Sequence, residues 1–547
     1  MWCLGGRMVL KTDKRFDFKM FALLVVSILA GLIISLAMCL NGSFDTDFLW
    51  HTVLRDYIVE HKSLPVQDIF SWRSIEMGYT ETAHSWLGSL ILGSYVRFAE
   101  SIDLSYFVCS VSFALIWYVV SCLVIKKVFF KNGVNGFYFF ACLFSSFSYT
   151  HARIQNMSYI LFVILLAVLF DMYRNAKSNS YMLLPVLAIL CANLHGGIII
   201  LFVGIMFIFG TCLMVPGFDL GVFRHVNDIN VYGGNRMAGK RVLACSVISL
   251  IAGCINPYGI KLYTYFLHVS SDPFNSIYVG EWKPVSVNNF IFILTVIAFM
   301  IPLFLKNKKI DLLTYGVPFG FTILAGWHCR FLNYAIFSMI PLVLSYYEYY
   351  LEYMQYKKEN AKVVEVVDET TMKKRMTMLY IGTGVIIIIG IIFIIFTGKT
   401  SFENANLTNS IASVNTVTDK TNVVLDDVFG NNGCVLSDDV VTYLDEAQYE
   451  RMYCTYNLGG ELIFSGFKSF VDSRADCFKN GELSDSAILC RTLKSKEELD
   501  KIVEKYDFDA FIFESNYWFS FEMYLDSRDD FVRDYEDDFV IIYKRVE

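Results

Sequence analysis

The chain has 547 residues, of which 55% are hydrophobic and only 18% charged, and its mean hydropathy is +0.46. Ordinary soluble domains carry about 25% charged residues, so this composition excludes a soluble globular protein and predicts an integral membrane protein. The net charge of −7 divides into −15 after Gly398, where 30 acidic residues oppose 15 basic ones, and +8 before it. Because basic residues form no stripe outside the loops assigned to the cytoplasm, nucleic acid is not expected as a partner.

Apolar runs of about the length needed to cross some 30 Å of hydrocarbon recur through the first part of the chain. Lys and Arg cluster in every second connection between these runs, which is the distribution expected when the N-terminus is cytoplasmic. The sequence therefore predicts a multi-pass protein of the cell membrane with a cytoplasmic N-terminus. About eleven transmembrane helices are predicted, at Met20–Leu40, Leu104–Ile125, Val134–Tyr149, Met157–Met172, Tyr181–Asn193, Gly196–Met214, Val242–Ile255, Asn289–Leu305, Asp311–Gly326, Phe331–Tyr346 and Leu379–Thr397.

Two segments are predicted to lie outside the cell. The first is a loop over residues 41–103, in which the apolar stretch Trp86–Phe98 is about half a transmembrane length and predicts an interfacial or re-entrant helix. The second is the acidic part after residue 398. The predicted parts are an N-terminal tail and first transmembrane helix (1–40), the first extracytoplasmic loop with interfacial helices (41–103), a transmembrane body (104–397) and a small extracytoplasmic α/β domain (398–547).

The pattern within residues 398–547 is typical of mixed α/β structure. A charged helix is predicted at Lys494–Lys505, and short strands at Ser469–Asp472, Asp509–Phe513 and Phe539–Tyr543. The adjacent glycines Gly459-Gly460 predict a close turn or backbone approach. Cys434, Cys454, Cys477 and Cys490 would lie on the oxidising side of the membrane, which permits disulfides without specifying any pair.

An acidic pair, Asp45 and Asp47, follows the first predicted transmembrane helix. Two carboxylates at this spacing can hold a divalent metal ion, or one of them can act as a general base toward a hydroxyl group. Their predicted height at the membrane surface is where a lipid-linked substrate presents its head group. The alternative is that Asp45 only caps a helix over about Asp47–His61.

Other polar side chains collect at the predicted outer ends of the transmembrane helices. Arginines near hydrocarbon usually face a cavity, where a guanidinium can bind a phosphate, although each arginine can instead extend to the surface. The histidines are candidates for substrate binding, with anchoring in the interface or structural hydrogen bonding as the alternatives. The candidate substrate-binding residues are His51, His84, Arg153, His195, Glu281 and Arg330.

Several short segments, in this order, resemble the bacterial glycosyltransferase C superfamily, membrane enzymes that use polyprenyl-phosphate-linked sugars. The resemblance rests on the ordered set and covers nearly the whole chain. The segments are Asp45-Thr-Asp47 through His51, Leu64-Pro65 through Ser71, His84-Ser-Trp86-Leu87, Ala152-Arg153-Ile-Gln155, Ala192-Asn193-Leu-His195-Gly196-Gly197, Asn256-Pro257-Tyr258-Gly259, Glu281-Trp282 and Gly459-Gly460 with Val471-Asp472-Ser-Arg474.

The resemblance implies a polytopic α-helical fold and a membrane glycosyltransferase, a hexosyl or pentosyl transferase. Its donor would be a polyprenyl-phosphate-linked sugar, and its acceptor a hydroxyl on a glycan, lipid or protein. It also implies that Asp45 or Asp47 is the base or a metal ligand and that Arg153 and Arg330 bind phosphate. Two other functions stay open: a lipid or glycan transporter or flippase, and a non-catalytic membrane scaffold with an extracytoplasmic binding domain.

Overall fold

The computed structural model describes residues 46–97, 102–124, 152–214, 219–220, 223–224, 235–271, 282–285, 310–342, 436–478, 480–491, 495–515 and 519–546. Some sequence predictions fall outside these residues. They are Asp45, Glu281, Cys434 and the predicted transmembrane helices Met20–Leu40, Val134–Tyr149, Asn289–Leu305 and Leu379–Thr397.

The first segment, residues 46–97, contains helices α1 (Thr46–His61), α2 (Trp72–Glu76) and α3 (Trp86–Val96). We call it the first loop. The helix predicted over Asp47–His61 is confirmed as α1, and α3 has 11 residues, about 16 Å, which is roughly half a bilayer crossing. Helices α1 and α3 pack closely, since a Cβ atom on Gly93 would lie 2.9 Å from the Cα of Thr52.

The body follows and is almost entirely helical. Its described helices are α4 (Ile102–Val124), α5 (Gln155–Arg174), α6 (Leu183–Leu194), α7 (Ile199–Met214), α8 (Asn235–Ala252), α9 (Lys261–Ser271), α10 (Leu312–Trp327) and α11 (332–342), with 3-10 turns at Ser180–Met182, Gly196–Ile198 and Cys329–Phe331. A small sheet joins β1 (Asp219–Leu220) antiparallel to β2 (Phe223–Arg224) and β2 parallel to β3 (Ile310–Asp311). Large buried side chains such as Phe162, Phe202, Phe209 and Phe337 fill the centre of the body.

Two of the described helical stretches, Gln155–Tyr173 and Gly196–Met214, are long and apolar enough to cross a membrane. Both correspond to predicted transmembrane helices. Leu104–Trp117 and Ser180–Leu194 are apolar but shorter. The predicted total of about eleven therefore stays a prediction.

The last part, residues 436–546, folds around a four-stranded sheet, and we call it the C-terminal unit. The strand order is β4-β5-β7-β6, with β4 (Met452–Cys454) parallel to β5 (Ala510–Glu514), and β7 (Val540–Arg545) antiparallel to both β5 and β6 (Phe531–Glu536). Its helices are α12 (Asp438–Ala447), α13 (Gly459–Phe464), α14 (Glu482–Arg491), α15 (Lys496–Tyr506) and α16 (Phe519–Asp526). Tyr453, Phe470, Phe508 and Phe511 form the centre of an aromatic core.

Most of the secondary structure predicted here is confirmed. Helix α15 has the capping box that Ser495 and Glu498 form, and β5 and β7 occupy the predicted strand positions. The strand predicted at Ser469–Asp472 is wrong, because only Ser469 forms a bridge, with Ser71, and the chain then bends. The predicted close approach is confirmed at Gly459, where a Cβ atom would lie 2.3 Å from the carbonyl oxygen of Val471.

The C-terminal unit packs directly on the first loop. The indole of Trp72 in α2 is buried in the core of the C-terminal unit and donates to the carbonyl of Met452 at 3.0 Å, and Ser71 Oγ donates to the carbonyl of Phe470 at 2.8 Å. Cys454 and Cys477 are buried free thiols. The contact between these two parts of the chain forms one side of the candidate site.

Candidate functional site

A cavity of about 110 Å³ lies where the first loop, the body and the C-terminal unit meet. It is lined by side chains of all three parts, and charged, aromatic and imidazole groups face it together. From the first loop come Asp47, Trp50, His51, Glu81 and His84; from the body Ile154, Gln155, His195, Gly197, Tyr265, Trp282 and Arg330; and from the C-terminal unit Tyr456, Ser473, Arg474 and Ala475.

Asp47 lies in the first turn of α1, where the helix dipole favours a negative charge. Its carboxylate accepts from the indole N–H of Trp50 at 3.2 Å, and the same N–H also points to Ser473 Oγ at 3.1 Å. Burial alone would raise the pKa of this carboxyl. The charge of Arg153, the electrostatic effect of His51, and hydrogen bonds from Ser473 and Trp50 outweigh burial and hold the pKa below its ordinary value. Asp47 is therefore ionised at neutral pH.

Two arginines of the body lie at this cavity. Arg153 precedes α5, and its Nη2 is 3.6 Å from Asp47 Oδ2, which makes an ion pair longer than a normal hydrogen bond. Arg330 is in the 3-10 turn Cys329–Phe331, and its guanidinium carbon lies 4.3 Å from the centre of the Trp282 ring. A guanidinium stacked on an aromatic ring keeps N–H donors at its edge for a phosphate or carboxylate.

Three histidines line the cavity, and the Nδ1 atom of each one is hydrogen-bonded to a hydroxyl. His51 pairs with Ser89 Oγ at 2.8 Å, His195 with Ser158 Oγ at 2.6 Å, and His84 with Tyr265 OH at 3.0 Å. These bonds fix the ring orientations, so the imidazoles are a permanent part of the wall.

His51 is held neutral at its position in the wall. Ser89 Oγ lies 2.8 Å from His51 Nδ1 and 3.1 Å from the carbonyl oxygen of Ser85, so the hydroxyl links the ring to the backbone. Burial lowers the pKa of His51 to about 3, which keeps the ring neutral at physiological pH.

Arg474 joins the C-terminal unit to the first loop inside the wall. Its Nη1 is 2.8 Å from Asp68 Oδ1 and 2.7 Å from Glu81 Oε2, and its Nη2 is 2.7 Å from Asp472 Oδ2. With two further bonds, from Nε to Asp472 and from Nη2 to Asp68, all five of its N–H donors are used. Burial opposes the charge on Arg474, but the surrounding carboxylates raise its pKa well above the ordinary value.

Two of the segments that carry the sequence resemblance have structural roles. Asn193 Oδ1 accepts from the indole of Trp86 at 3.0 Å, which ties α3 to α6. Tyr258 OH accepts from the backbone N–H of Ala83 at 2.8 Å, and Asn256 Oδ1 closes the turn before it by accepting from Tyr258 N at 2.7 Å. These groups hold the first loop against the body.

The structure brings most of the candidate residues together. Asp47, His51, His84, His195 and Arg330 line the cavity, and Arg153 is paired with Asp47 at its edge. Glu81, Tyr265, Ser473 and Arg474 line the same cavity and were not singled out as site residues. Arg474 belongs to one of the segments that carry the sequence resemblance. The residues next to it in the sequence do not indicate that it pairs with Asp68 and Glu81, which lie about 400 residues earlier in the chain.

The described residues do not by themselves fit the predicted divalent metal ion. No three His, Cys, Asp or Glu side chains within the described ranges are placed to hold one ion. Asp47 already pairs with Arg153 and accepts from the indole N–H of Trp50, and both groups would compete with a metal ion for its oxygens.

Comparison with solved structures shows the fold. The oligosaccharyltransferase of Archaeoglobus fulgidus, tethered to an acceptor peptide containing the NVT sequon, matches 97% of this chain and 74% of its own with a TM-score of 0.50 and 11% sequence identity. The chain shares the fold of this archaeal oligosaccharyltransferase. The same archaeal enzyme without ligand matches 91% of this chain and 70% of its own (TM-score 0.49, 10% identity). The oligosaccharyltransferase AglB of Archaeoglobus fulgidus in complex with an inhibitory peptide and a dolichol-phosphate matches 91% of this chain and 69% of its own, with a TM-score of 0.48 and 11% sequence identity.

No protein-family model matches the chain, and no curated protein matches it significantly. The match extends over the arrangement described above, a helical body followed by a C-terminal unit. At this level of identity the likeness concerns the fold, and the chemistry has to be argued from the cavity.

Proposed function

We propose that this protein is a membrane glycosyltransferase that moves a sugar from a polyprenyl-phosphate donor to a hydroxyl acceptor on the outer face of the membrane. The observation that carries the proposal is the cavity in which an ionised carboxylate, Asp47, lies beside one arginine and shares a wall with another. A transferase of this kind needs a base for the acceptor and a cation for the departing phosphate, and the cavity offers both.

In the proposed reaction the acceptor oxygen forms a bond to the anomeric carbon while the bond from that carbon to the phosphate oxygen breaks. Asp47 accepts the hydroxyl proton, and the polyprenyl phosphate leaves with the bonding electrons. Arg330 and Arg153 bind the phosphate. The 3.6 Å spacing between Arg153 and Asp47 supports this assignment, because a phosphate can draw the guanidinium away and leave the carboxylate more basic.

The glycosyltransferase C fold supports a transferase, since the matched archaeal protein is an oligosaccharyltransferase. Within that superfamily we place the chain in the bacterial branch that uses polyprenyl-phosphate sugars, on the ordered segments of its sequence. The distribution of Lys and Arg supports an extracytoplasmic cavity. The acceptor is a glycan, lipid or protein hydroxyl.

The proposal is tested with Asp47→Asn in membranes supplied with a radiolabelled polyprenyl-phosphate sugar. Loss of a general base lowers the transfer rate by about 10²–10⁴-fold. Asp56→Asn is the matched control, because Asp56 lies in the same helix and pairs with Arg55 at 2.7 Å and with Arg97 away from the cavity. Unchanged transfer by Asp47→Asn would exclude this assignment, and movement of the lipid without a covalent product would favour a flippase.

A further inference from the structure

Gln155 is the first residue of α5, and its side chain is part of the cavity wall. Its amide oxygen Oε1 is buried, yet no group in the part of the chain that the structure describes donates a hydrogen bond to it. Polar atoms removed from water are almost always hydrogen-bonded, because leaving one without a partner is unfavourable. An unsatisfied acceptor in a cavity wall therefore indicates a hydrogen donor on a bound ligand.

The position of Gln155 is fixed by its neighbours in the chain. Ile154 and Asn156 are only 3% and 6% exposed. A Cβ atom on Gly88 in α3 would lie 2.6 Å from the Ile154 side chain, so the start of α5 is tightly packed against α3. Because the backbone is held in this way, a shift of the helix cannot bring Gln155 to another partner, and its amide stays at the cavity.

The proposed reaction narrows the kind of hydrogen donor. The donor phosphate is ionised and has no hydrogen to offer, and the reacting hydroxyl gives its only hydrogen to Asp47. The sugar is covalently attached to the phosphate, and Gln155 is two residues from Arg153, which binds that phosphate in the proposed reaction. A hydroxyl of the donor sugar is therefore the group that best suits Oε1.

We propose that Gln155 is a substrate-binding residue whose Oε1 accepts a hydrogen bond from a hydroxyl of the donor sugar. The inference rests on the proposed function and adds a residue that recognises the sugar. The free protein carries an unsatisfied acceptor that the bound donor satisfies. Gln155 consequently contributes to binding and does not stabilise the free protein.

The first measurement is the stability of the ligand-free protein with Gln155 replaced by Met, which has nearly the same length but no amide. Removal of an unsatisfied acceptor should leave the thermal unfolding midpoint of the purified full-length protein in nanodiscs unchanged or raise it. Gln67→Met is the matched control, because Gln67 is exposed and is not part of the cavity wall. A midpoint for Gln155→Met clearly below those of the wild type and the control would show that the amide has a structural partner, which overturns the proposal.

The second measurement compares dissociation constants for short-chain probes. These are bare polyprenyl phosphate, polyprenyl phosphates carrying glucose, mannose, galactose or arabinose, and single-deoxy analogues of whichever sugar binds most tightly. One deoxy analogue should bind the wild-type protein about 10-fold more weakly than its parent, the loss expected for one buried hydrogen bond. In Gln155→Met the parent should be weakened by a similar factor, and removal of the same hydroxyl should cause no further loss. Gln67→Met should bind every probe as the wild type does.

The outcomes separate the inference from the proposed function. Unchanged binding of the sugar probes by Gln155→Met, or the same response to every deoxy analogue in both proteins, would overturn the contact and leave a phosphate-binding transferase intact. Equal weakening of bare polyprenyl phosphate would assign the amide to the phosphate and would overturn the contact as well. Failure of the wild-type protein to bind any probe would remove the proposed function and the inference with it.

Discussion

Arg474 and Asp68 form a buried ion pair across 406 residues of sequence, with Nη1 2.8 Å from Oδ1. Both side chains are almost completely inaccessible, at 2% and 0% exposure, so this pair lies within the interface of the first loop and the C-terminal unit. Asp472 and Glu81 complete the set of carboxylates around the guanidinium.

Replacing this arginine is expected to destabilise the whole protein. Arg474→Met leaves three buried carboxylates without their cation, and removal of one partner of a buried ion pair costs about 3–5 kcal/mol. Thermal unfolding in detergent should show a clearly lowered midpoint. Arg545→Met, which removes an exposed pair with Asp507, should cost about 0–1 kcal/mol, and equal midpoints for the two variants would contradict the structural role of Arg474.

Ser473 is expected to act on Asp47 as a positioning residue. Its hydroxyl interacts with the indole N–H of Trp50 that also bonds Asp47, and its hydrogen bonding helps to lower the pKa of that carboxyl. In Ser473→Ala that pKa rises. Because the ionised carboxylate is the active form in the proposed reaction, the acid limb of the pH–rate profile for sugar transfer should move to higher pH.

The conservative variant separates positioning from folding. Ser473→Thr keeps the hydroxyl and should restore the acid limb to its original position. A lower rate in Ser473→Ala with an unmoved acid limb would indicate a purely structural contribution.

His51 is expected to make stability depend on pH. Burial lowers its pKa from 6.5 to about 3, so the unfolded chain binds a proton between these values while the folded chain does not. The contribution is therefore complete above pH 6.5 and is lost as the pH falls toward 3, at up to about 1.4 kcal/mol per pH unit. Midpoints of thermal unfolding between pH 7 and 4 measure this slope.

In His51→Gln the slope over this interval should become shallower, since the amide carries no titrating proton. His61→Gln is the matched substitution, because His61 is exposed at the other end of α1. Parallel curves for the wild-type chain and His51→Gln would contradict a neutral, buried His51.

Much of the candidate site could be predicted from the sequence because membranes restrict where polar groups lie. Asp47, His84 and Arg330 stand out at the ends of apolar runs, and side chains at the same predicted height can meet in one cavity. Orientation, number of transmembrane helices and roles of these groups remain predictions.

The contribution of the C-terminal unit could not be predicted in the same way. Ser473 and Arg474 follow a short apolar segment that was predicted to be a strand, and the partners that define their role lie in the first loop. Hydrophobic periodicity reports local structure, whereas a contact across 406 residues depends on tertiary packing that a single sequence does not encode locally.

The cavity walls are drawn from segments as far apart as Asp47 and Ala475, and this has a consequence for biosynthesis. A ribosome must have translated beyond residue 475, and that stretch must have reached the first loop, before the wall can close. Nascent chains and prematurely terminated products would consequently contain most of the helical body but lack one side of the cavity, and under the proposed function they would transfer no sugar.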